Sequence, residues 1–162
     1  MKNKSADNDD ASTNPPGNTQ PAGPGFSILL VDDDSVLAEL WQRYLISQGH
    51  HVDCCGTVAD ATVLLHSKNY DLLIVDIFLR QNGRILAEGG VTLINRVRIE
   101  DGFNNTKVGR PAVLAVTGAD TRSHGKFTAL HSVNALTDAS LQKPVRLETL
   151  GREVQRLCTE IE

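Results

Sequence analysis

From residue 26 onward, short apolar runs alternate with segments whose apolar residues recur at helical spacing. The clearest run reads Tyr-Asp-Leu-Leu-Ile-Val-Asp over residues 70–76 and is typical of a central parallel strand buried on both faces. We find no hairpin signal between strands, so the pattern predicts a parallel sheet with helices on both faces and right-handed crossovers. We therefore predict an α/β protein of five β-α units. The flavodoxin-like doubly wound sheet, with strand order 2-1-3-4-5, is a common arrangement for such a chain.

Cap and stop residues refine these boundaries. The first helix should begin at Asp34 or Ser35 and stop near Gly49, and Thr57 should cap a helix that ends at about His66. A long Gly-rich loop, residues 77–90, should separate the third strand from the third helix. The remaining elements are predicted in the following ranges: strands over 26–31, 51–55, 111–117 and 139–142, and helices around 91–98, within 119–136 and from Leu147 to Ile161.

Composition separates the first 25 residues from the rest. Residues 1–25 contain no Ile, Leu, Val, Phe, Trp or Tyr, so they have nothing to bury that would offset the entropy of ordering them. We predict a disordered tail over 1–25, one domain over 26–162 and no output domain. No apolar core of a signal peptide is present, and no run approaches the roughly 18 residues of a membrane span.

Charge and cysteine content narrow the class further. The net charge of -4 argues against nucleic-acid binding by this chain. The three cysteines, Cys54, Cys55 and Cys158, do not form a secreted disulfide framework, because the count is odd and two are adjacent. We expect reduced thiols and a cytoplasmic location; a strained redox pair at Cys54 and Cys55 is the alternative.

Polar residues fall where the predicted strands end. Asp32 and Asp33 follow the first strand, Asp76 ends the third, Thr117 ends the fourth and Lys143 follows the fifth. In an open α/β sheet the ligand site lies at the carboxyl ends of the strands, next to the point where the strand order reverses. Three carboxylates, a hydroxyl and an ammonium group should therefore share one crevice.

This combination points to phosphoryl chemistry with a hard cation. Three crowded carboxylates require either a proton or a cation, and oxygen ligands suit Mg²⁺. An aspartate can act as the nucleophile, while a hydroxyl and a lysine bind the phosphoryl oxygens. Taken singly, each residue has a structural explanation, as an N-cap, a turn residue or a solvated lysine. Their joint placement at four strand ends favours the functional interpretation.

Four separated motifs then resemble a known family. They are Ile-Leu-Leu-Val-Asp-Asp-Asp at 28–34, Tyr-Asp-Leu-Leu-Ile-Val-Asp at 70–76, Ala-Val-Thr-Gly at 115–118 and Gln-Lys-Pro-Val at 142–145. Each motif is weak alone, but together and in this order they resemble the response-regulator receiver domains, also called CheY-like. The resemblance covers the whole predicted domain.

The resemblance implies a role for each residue of the crevice. Asp76 would be the phosphoacceptor, Asp33 a direct Mg²⁺ ligand, and Asp32 an acidic position that often acts through a water molecule. The remaining implied roles are metal binding by the backbone carbonyl of Phe78, phosphate binding by Thr117, Gly118 and Lys143, and a cis peptide bond between Lys143 and Pro144.

The sequence departs from the family pattern in three places, the first of which is the loop after the third strand. Arg80 stands where the family usually has proline, and the expected glycine is delayed to Gly89 or Gly90, so the loop is longer by about six residues. Arg80 or Arg84 could contact the phosphate or a partner, or the loop could simply be solvated.

The second departure is Ser140, which occupies the position of the aromatic switch residue that normally moves together with Thr117. Signalling through the surface formed by the fourth helix, fifth strand and last helix is therefore altered. The third departure is at Phe78 and Ala119, two positions after Asp76 and Thr117. We hypothesise that Phe78 shields the acyl phosphate from water.

The leading interpretation is a phosphorylation-dependent switch of a two-component phosphorelay. It is expected to receive its phosphoryl group from a histidine kinase or a histidine phosphotransfer protein and to act on a downstream protein, without nucleic-acid or membrane binding. A homodimer is compatible with this role, and we do not expect a turnover enzyme. The alternative is a phosphorylation-independent pseudo-receiver that binds proteins. A phosphatase is disfavoured because Phe78 stands where a general-acid Asp would be needed.

Overall fold

The computed structural model describes residues 25–81, 84–85, 89–99, 110–118 and 135–160. Seven strands and four helices lie within these ranges. In chain order they are β1 (Ser27–Val31), α1 (Ser35–Ser47), β2 (His51–Cys55), α2 (Val58–Ser67), β3 (Leu72–Asp76), β4 (Arg80–Gln81), β5 (Arg84–Ile85), α3 (Gly90–Ile99), β6 (Ala112–Thr117), β7 (Ala139–Gln142) and α4 (Leu147–Thr159).

The main sheet has five parallel strands in the order β2-β1-β3-β6-β7. Numbered within this sheet, the strands follow the order 2-1-3-4-5, and the predicted fold class is confirmed. All five residues of β3 are buried, as its continuous apolar sequence predicts, because helices cover both faces of the sheet.

The predicted caps place the helices that flank the site. The Asp34 side chain accepts hydrogen bonds from the backbone N–H groups of Val36 and Leu37, at 3.1 and 3.0 Å, and so caps α1. Thr57 caps α2 by accepting the N–H of Asp60 at 3.1 Å. Gly49 follows α1 with a φ of 93°, a conformation that favours glycine. These local interactions fix where β1 ends and α1 begins.

Apolar side chains pack on both faces of the sheet. On one face, residues of α2 and α3 meet alternate residues of the strands, and Leu93, Ile94 and Val97 are fully buried there. On the other face, α1 and α4 contribute Trp41 and Val154, among others. The two clusters hold β3 between them, which makes the end of β3 a rigid support for Asp76.

The segment after β3 differs from the prediction. Instead of a simple loop over 77–90, β4 and β5 pair in antiparallel fashion, with Arg80 opposite Ile85 and Gln81 opposite Arg84. The expectation of no hairpin was therefore wrong. Asn82-Gly83, between the two strands in sequence, is the dipeptide typical of tight hairpin turns. The strands are two residues long, too short for apolar alternation to reveal them.

Other predicted features can be compared only in part. The predicted tail, apart from Gly25, most of the predicted helix within 119–136 and the terminal Ile161 lie outside the described residues. The third helix begins at Gly90, one residue earlier than its apolar pattern indicates. No helix among the described residues combines the length and apolar content that crossing a membrane requires.

The three cysteines are free thiols. Burial raises the pKa of Cys54 to about 11, and burial also raises the pKa of Cys55 and Cys158 to about 12. The thiols are thus protonated at neutral pH, which makes them poor nucleophiles.

Candidate functional site

A cavity of about 250 Å³ opens at the carboxyl ends of the central strands. It is lined by residues from the ends of β1, β3 and β6, from the segment after β7 and from the start of β4. The lining residues are Asp32, Asp33, Asp34, Asp76, Phe78, Arg80, Gly118 and Lys143. The reversal of strand order between β1 and β3 brings these distant parts of the chain together.

Lys143 connects the two buried carboxylates of the cavity. Its Nζ atom donates to Oδ2 of Asp32 and to Oδ2 of Asp76, each at 2.7 Å. The side chain of Asp32 is 1% exposed and that of Asp76 is 9% exposed, so water screens these ion pairs weakly. The Lys143 backbone N–H donates to the Thr117 carbonyl at 2.7 Å, and the peptide bond between Lys143 and Pro144 is cis. The hydrogen bond to Thr117 fixes the backbone of Lys143 relative to the end of β6.

Asp76 is held from its other side by the chain that follows it. Its Oδ1 atom accepts the backbone N–H of Phe78 at 2.8 Å, while the N–H of Ile77 donates to the Val116 carbonyl at 2.9 Å. Ile77 and Leu79 are buried, at 2% and 0% exposure. Both oxygens of the Asp76 carboxylate therefore have fixed donors, which limits rotation of the side chain.

Burial and pairing shift proton affinities at the site in different ways. Burial raises the pKa of Asp32 despite the hydrogen bonds from Lys143 and from the Asp34 N–H, the latter at 2.9 Å. Burial works against the charge of Lys143, but the hydrogen bonds to Asp32 and Asp76 outweigh it and raise the lysine pKa. Lys143 thus stays protonated at neutral pH, and its ammonium group donates to both carboxyl groups.

The carboxylates fit a hard divalent cation. One oxygen each from Asp32, Asp33 and Asp76 lie within 4.8 Å of one another, and Asp33 is exposed to solvent. Oxygen donors with room for water molecules are the set that Mg²⁺ prefers. A single ammonium group leaves an excess of negative charge among these aspartates, which a cation would offset.

Gly90 packs closely against the backbone of Asp76. A Cβ atom at Gly90 would lie 2.0 Å from the Asp76 carbonyl oxygen and 3.0 Å from the Cα of Ile77. The first residue of α3 therefore has to be glycine for the lengthened segment to return to this position. The family resemblance left Gly89 and Gly90 as alternatives, and the close approach is made by Gly90.

Not every predicted site residue faces the cavity. Thr117 is buried at 7% exposure, but among the described residues it is Gly118 that lines the cavity beside it. Ser140 lies on β7 and is exposed. Arg84 pairs through its backbone in β5, and its side chain lies outside the described part of the chain.

Asp34 is a lining residue for which the sequence predicted only a capping role. It closes α1 and borders the cavity at once. The run of three aspartates after β1 indicated that one of them would be a cap, but it did not show that the cap also faces the site. The close approach of Gly90 to the Asp76 backbone was likewise not predicted from the sequence.

Comparisons with known proteins agree with this geometry. The transcriptional regulatory protein PmrA of Pectobacterium parmentieri is 34% identical over 73 residues, which make up 45% of this chain and 30% of PmrA. The protein PetR of Rhodobacter capsulatus is 25% identical over 134 residues, covering 83% of this chain and 49% of PetR. The chain thus spans about half or less of the length of these curated relatives.

Solved structures and a family model extend the likeness. The receiver domain of a Francisella response regulator superposes with a TM-score of 0.65 at 20% identity, covering 85% of this chain and 100% of that domain. At this identity the superposition supports the fold alone. The family model for the response regulator receiver domain matches residues 28–155. Because this match extends over most of the chain, the protein belongs to the response regulator receiver domain family of two-component systems.

Proposed function

We propose that this chain is a phosphorylation-dependent switch of a phosphorelay and that Asp76 accepts the phosphoryl group. The observation that carries the proposal is the shared contact of Lys143 with Asp76 and Asp32 at 2.7 Å, beside the exposed carboxylate of Asp33. Receiver domains interact with histidine kinases or phosphotransfer proteins. A phosphohistidine on such a partner is therefore the proposed donor. A cytoplasmic location of this chain is also part of the proposal.

The transfer would use Asp76 as the nucleophile, together with a bound Mg²⁺ ion and water. A carboxylate oxygen of Asp76 attacks the phosphorus, an O–P bond forms and the N–P bond of the phosphohistidine breaks. The departing imidazole nitrogen keeps the electron pair and takes a proton from water. Asp33, Asp76 and the carbonyl of Phe78 would hold Mg²⁺, with Asp32 acting through water. The bound ion would neutralise charge on the phosphoryl oxygens.

Lys143 links the modification to a change in shape. In the unmodified chain its ammonium group binds Asp32 and Asp76. The phosphoryl group adds roughly two negative charges at the end of β3 and offers stronger acceptors to the same ammonium group. Lys143 therefore exchanges its contact with Asp76 for one with the phosphoryl group, and the segment after β7 follows. A downstream protein recognises this altered surface.

Hydrolysis returns the chain to its first state. A water oxygen attacks phosphorus, the bond to Asp76 breaks, and the carboxylate and inorganic phosphate remain. Phe78 lines the cavity with an apolar ring and has no group that could activate this water. We propose that the chain turns over only its own phosphoryl group, and slowly, so that it is a switch instead of an enzyme with an external substrate.

Labelling with a small phosphodonor tests the proposal. The full chain is incubated with acetyl phosphate and Mg²⁺, and peptide mass spectrometry locates any added phosphoryl group. We expect modification at Asp76, its loss in Asp76→Asn, and its retention in Asp60→Asn, which removes an exposed carboxylate on α2. Equal modification of Asp76→Asn, or an unmodified wild-type chain, would refute the proposal.

A second candidate is a protein-binding module that needs no phosphorylation. Ser140 favours it, because an exposed serine on β7 cannot fill a cavity as the usual aromatic side chain does. In that case Asp76→Asn would bind the downstream protein as tightly as the wild type. Affinity that rises only after labelling of Asp76 would instead support the switch.

A further inference from the structure

The β4–β5 hairpin places Arg80 beside the site. Arg80 follows the fully buried Leu79 and begins β4, where it pairs with Ile85 in the β4–β5 hairpin. Successive side chains of an extended chain point in opposite directions. Because Leu79 faces the core, Arg80 faces outward, and it lines the cavity of Asp76.

The cavity contains two basic side chains, Lys143 and Arg80, and only Lys143 is paired with its aspartates. Four aspartates line the cavity, and Lys143 is already bound to two of them. Within the described part of the chain, the side chain of Arg80 makes no hydrogen bond or ion pair. An approaching phosphodonor therefore meets several carboxylates, one committed ammonium group and one guanidinium group that still has its donors available.

We propose that Arg80 binds the phosphodonor, as a specificity-determining residue that this chain adds to the receiver site. The inference rests on the proposed function, because it assumes that phosphoryl groups approach Asp76. A guanidinium group presents a planar fork of N–H donors that matches two phosphoryl oxygens at once. The hairpin fixes the backbone of Arg80, which reduces the backbone entropy that is lost on binding.

This role predicts effects of opposite sign for the two ligands of the site. The positive charge of Arg80 attracts a phosphodonor dianion but repels Mg²⁺ in the same cavity. Removing the charge should weaken donor binding and strengthen Mg²⁺ binding. A residue that only supported the fold of the loop would, when replaced, weaken both ligands together.

The experiment measures binding apart from the transfer reaction. In the full chain carrying Asp76→Asn, which cannot form the acyl phosphate, acetyl phosphate is titrated by NMR at saturating Mg²⁺, with and without Arg80→Gln. Mg²⁺ affinity is measured by calorimetry in chains that keep Asp76. The matched control is Arg152→Gln, which removes an exposed arginine of α4 that does not line the cavity.

We expect Arg80→Gln to raise the dissociation constant of acetyl phosphate about three- to tenfold and to lower that of Mg²⁺ about twofold, as befits one partly solvated charge. Arg80→Lys should fall between glutamine and the wild type, and Arg152→Gln should leave both constants unchanged. Unchanged donor binding in Arg80→Gln, or weakening of both ligands, would overturn the inference. If the wild-type chain did not become labelled, the proposed function would be refuted. The binding titrations would still decide whether Arg80 binds acetyl phosphate.

Discussion

Replacing Gly90 by alanine is the sharpest test of how the fold supports Asp76. The added Cβ atom would lie 2.0 Å from the Asp76 carbonyl oxygen and 2.9 Å from its carbonyl carbon. Both are backbone atoms and cannot turn aside, so α3 or the end of β3 has to move by about 1 Å or more. The Phe78 N–H that orients the Asp76 carboxylate follows immediately in the chain and would move with it.

The expected magnitudes follow from this displacement. Overpacking of this kind costs about 1 to 3 kcal/mol, and the better helix propensity of alanine returns less than about 1 kcal/mol at the first position of α3. We expect the free energy of unfolding to fall by about 1 to 2 kcal/mol. A shift of about 1 Å in a reacting group lowers reactivity on the order of a hundredfold, so labelling of Asp76 should fall by about ten- to a hundredfold.

Urea unfolding and the initial rate of acetyl phosphate labelling measure the two effects separately. The matched control is Gly56→Ala, because a Cβ atom there would lie 3.6 Å from the Asp32 carbonyl oxygen, an ordinary contact. Gly56→Ala should retain both stability and labelling. If Gly90→Ala matched the wild type in both assays, the close approach of α3 to Asp76 would not constrain the site as argued.

Three further predictions concern the stability of the fold. Asp34→Ala should lower the free energy of unfolding by about 1 kcal/mol in urea titrations, because α1 loses its N-cap; an unchanged midpoint would argue against that cap. Arg98→Met should cost about 2 kcal/mol in the same assay, because the Arg98 side chain bonds the Leu136 carbonyl and the Asp138 carboxylate and is 19% exposed; a loss below about 0.5 kcal/mol would contradict this. His50 is buried, and burial holds its pKa below the ordinary 6.5. Above pH 6.5 His50 is neutral in the folded and the unfolded chain. Below pH 6.5 the unfolded chain binds the proton first, so the free energy of unfolding should decrease as the pH is lowered, until the folded-state pKa is passed. His50→Gln should reduce that fall, and an identical pH dependence would refute the assignment.

The five strands of the main sheet could be predicted because each is a local apolar run, and their order followed from the common arrangement of such chains. The run from Leu72 to Asp76 is apolar up to its last residue, and burial on both faces is the only environment that suits it. The same logic placed Asp32, Asp33 and Lys143 near Asp76, since parallel strands end at one side of the sheet. What the sequence did not reveal was that Lys143 holds two of the aspartates at equal distance.

The features that escaped prediction depend on contacts between distant residues. The approach of Gly90 to the Asp76 carbonyl oxygen is invisible in the sequence, where a glycine before a helix has many explanations. Arg80 was one of two candidate arginines in a loop, and its place in the lining of the cavity could not be predicted from the sequence. Thr117 matches the family motif, yet its burial depends on how β6 packs, which the sequence does not show.

Lys143 follows β7, a strand that is easier to displace than β3. Among the described strands, β3 is bonded to β1 on one side and β6 on the other, whereas β7 is bonded to β6 alone. Displacing β3 would break two ladders of hydrogen bonds, but displacing β7 breaks one ladder of four paired positions. A ligand that attracts the Lys143 ammonium group therefore displaces β7 more easily than β3. The Asp76 carboxylate, at the end of β3, stays in place.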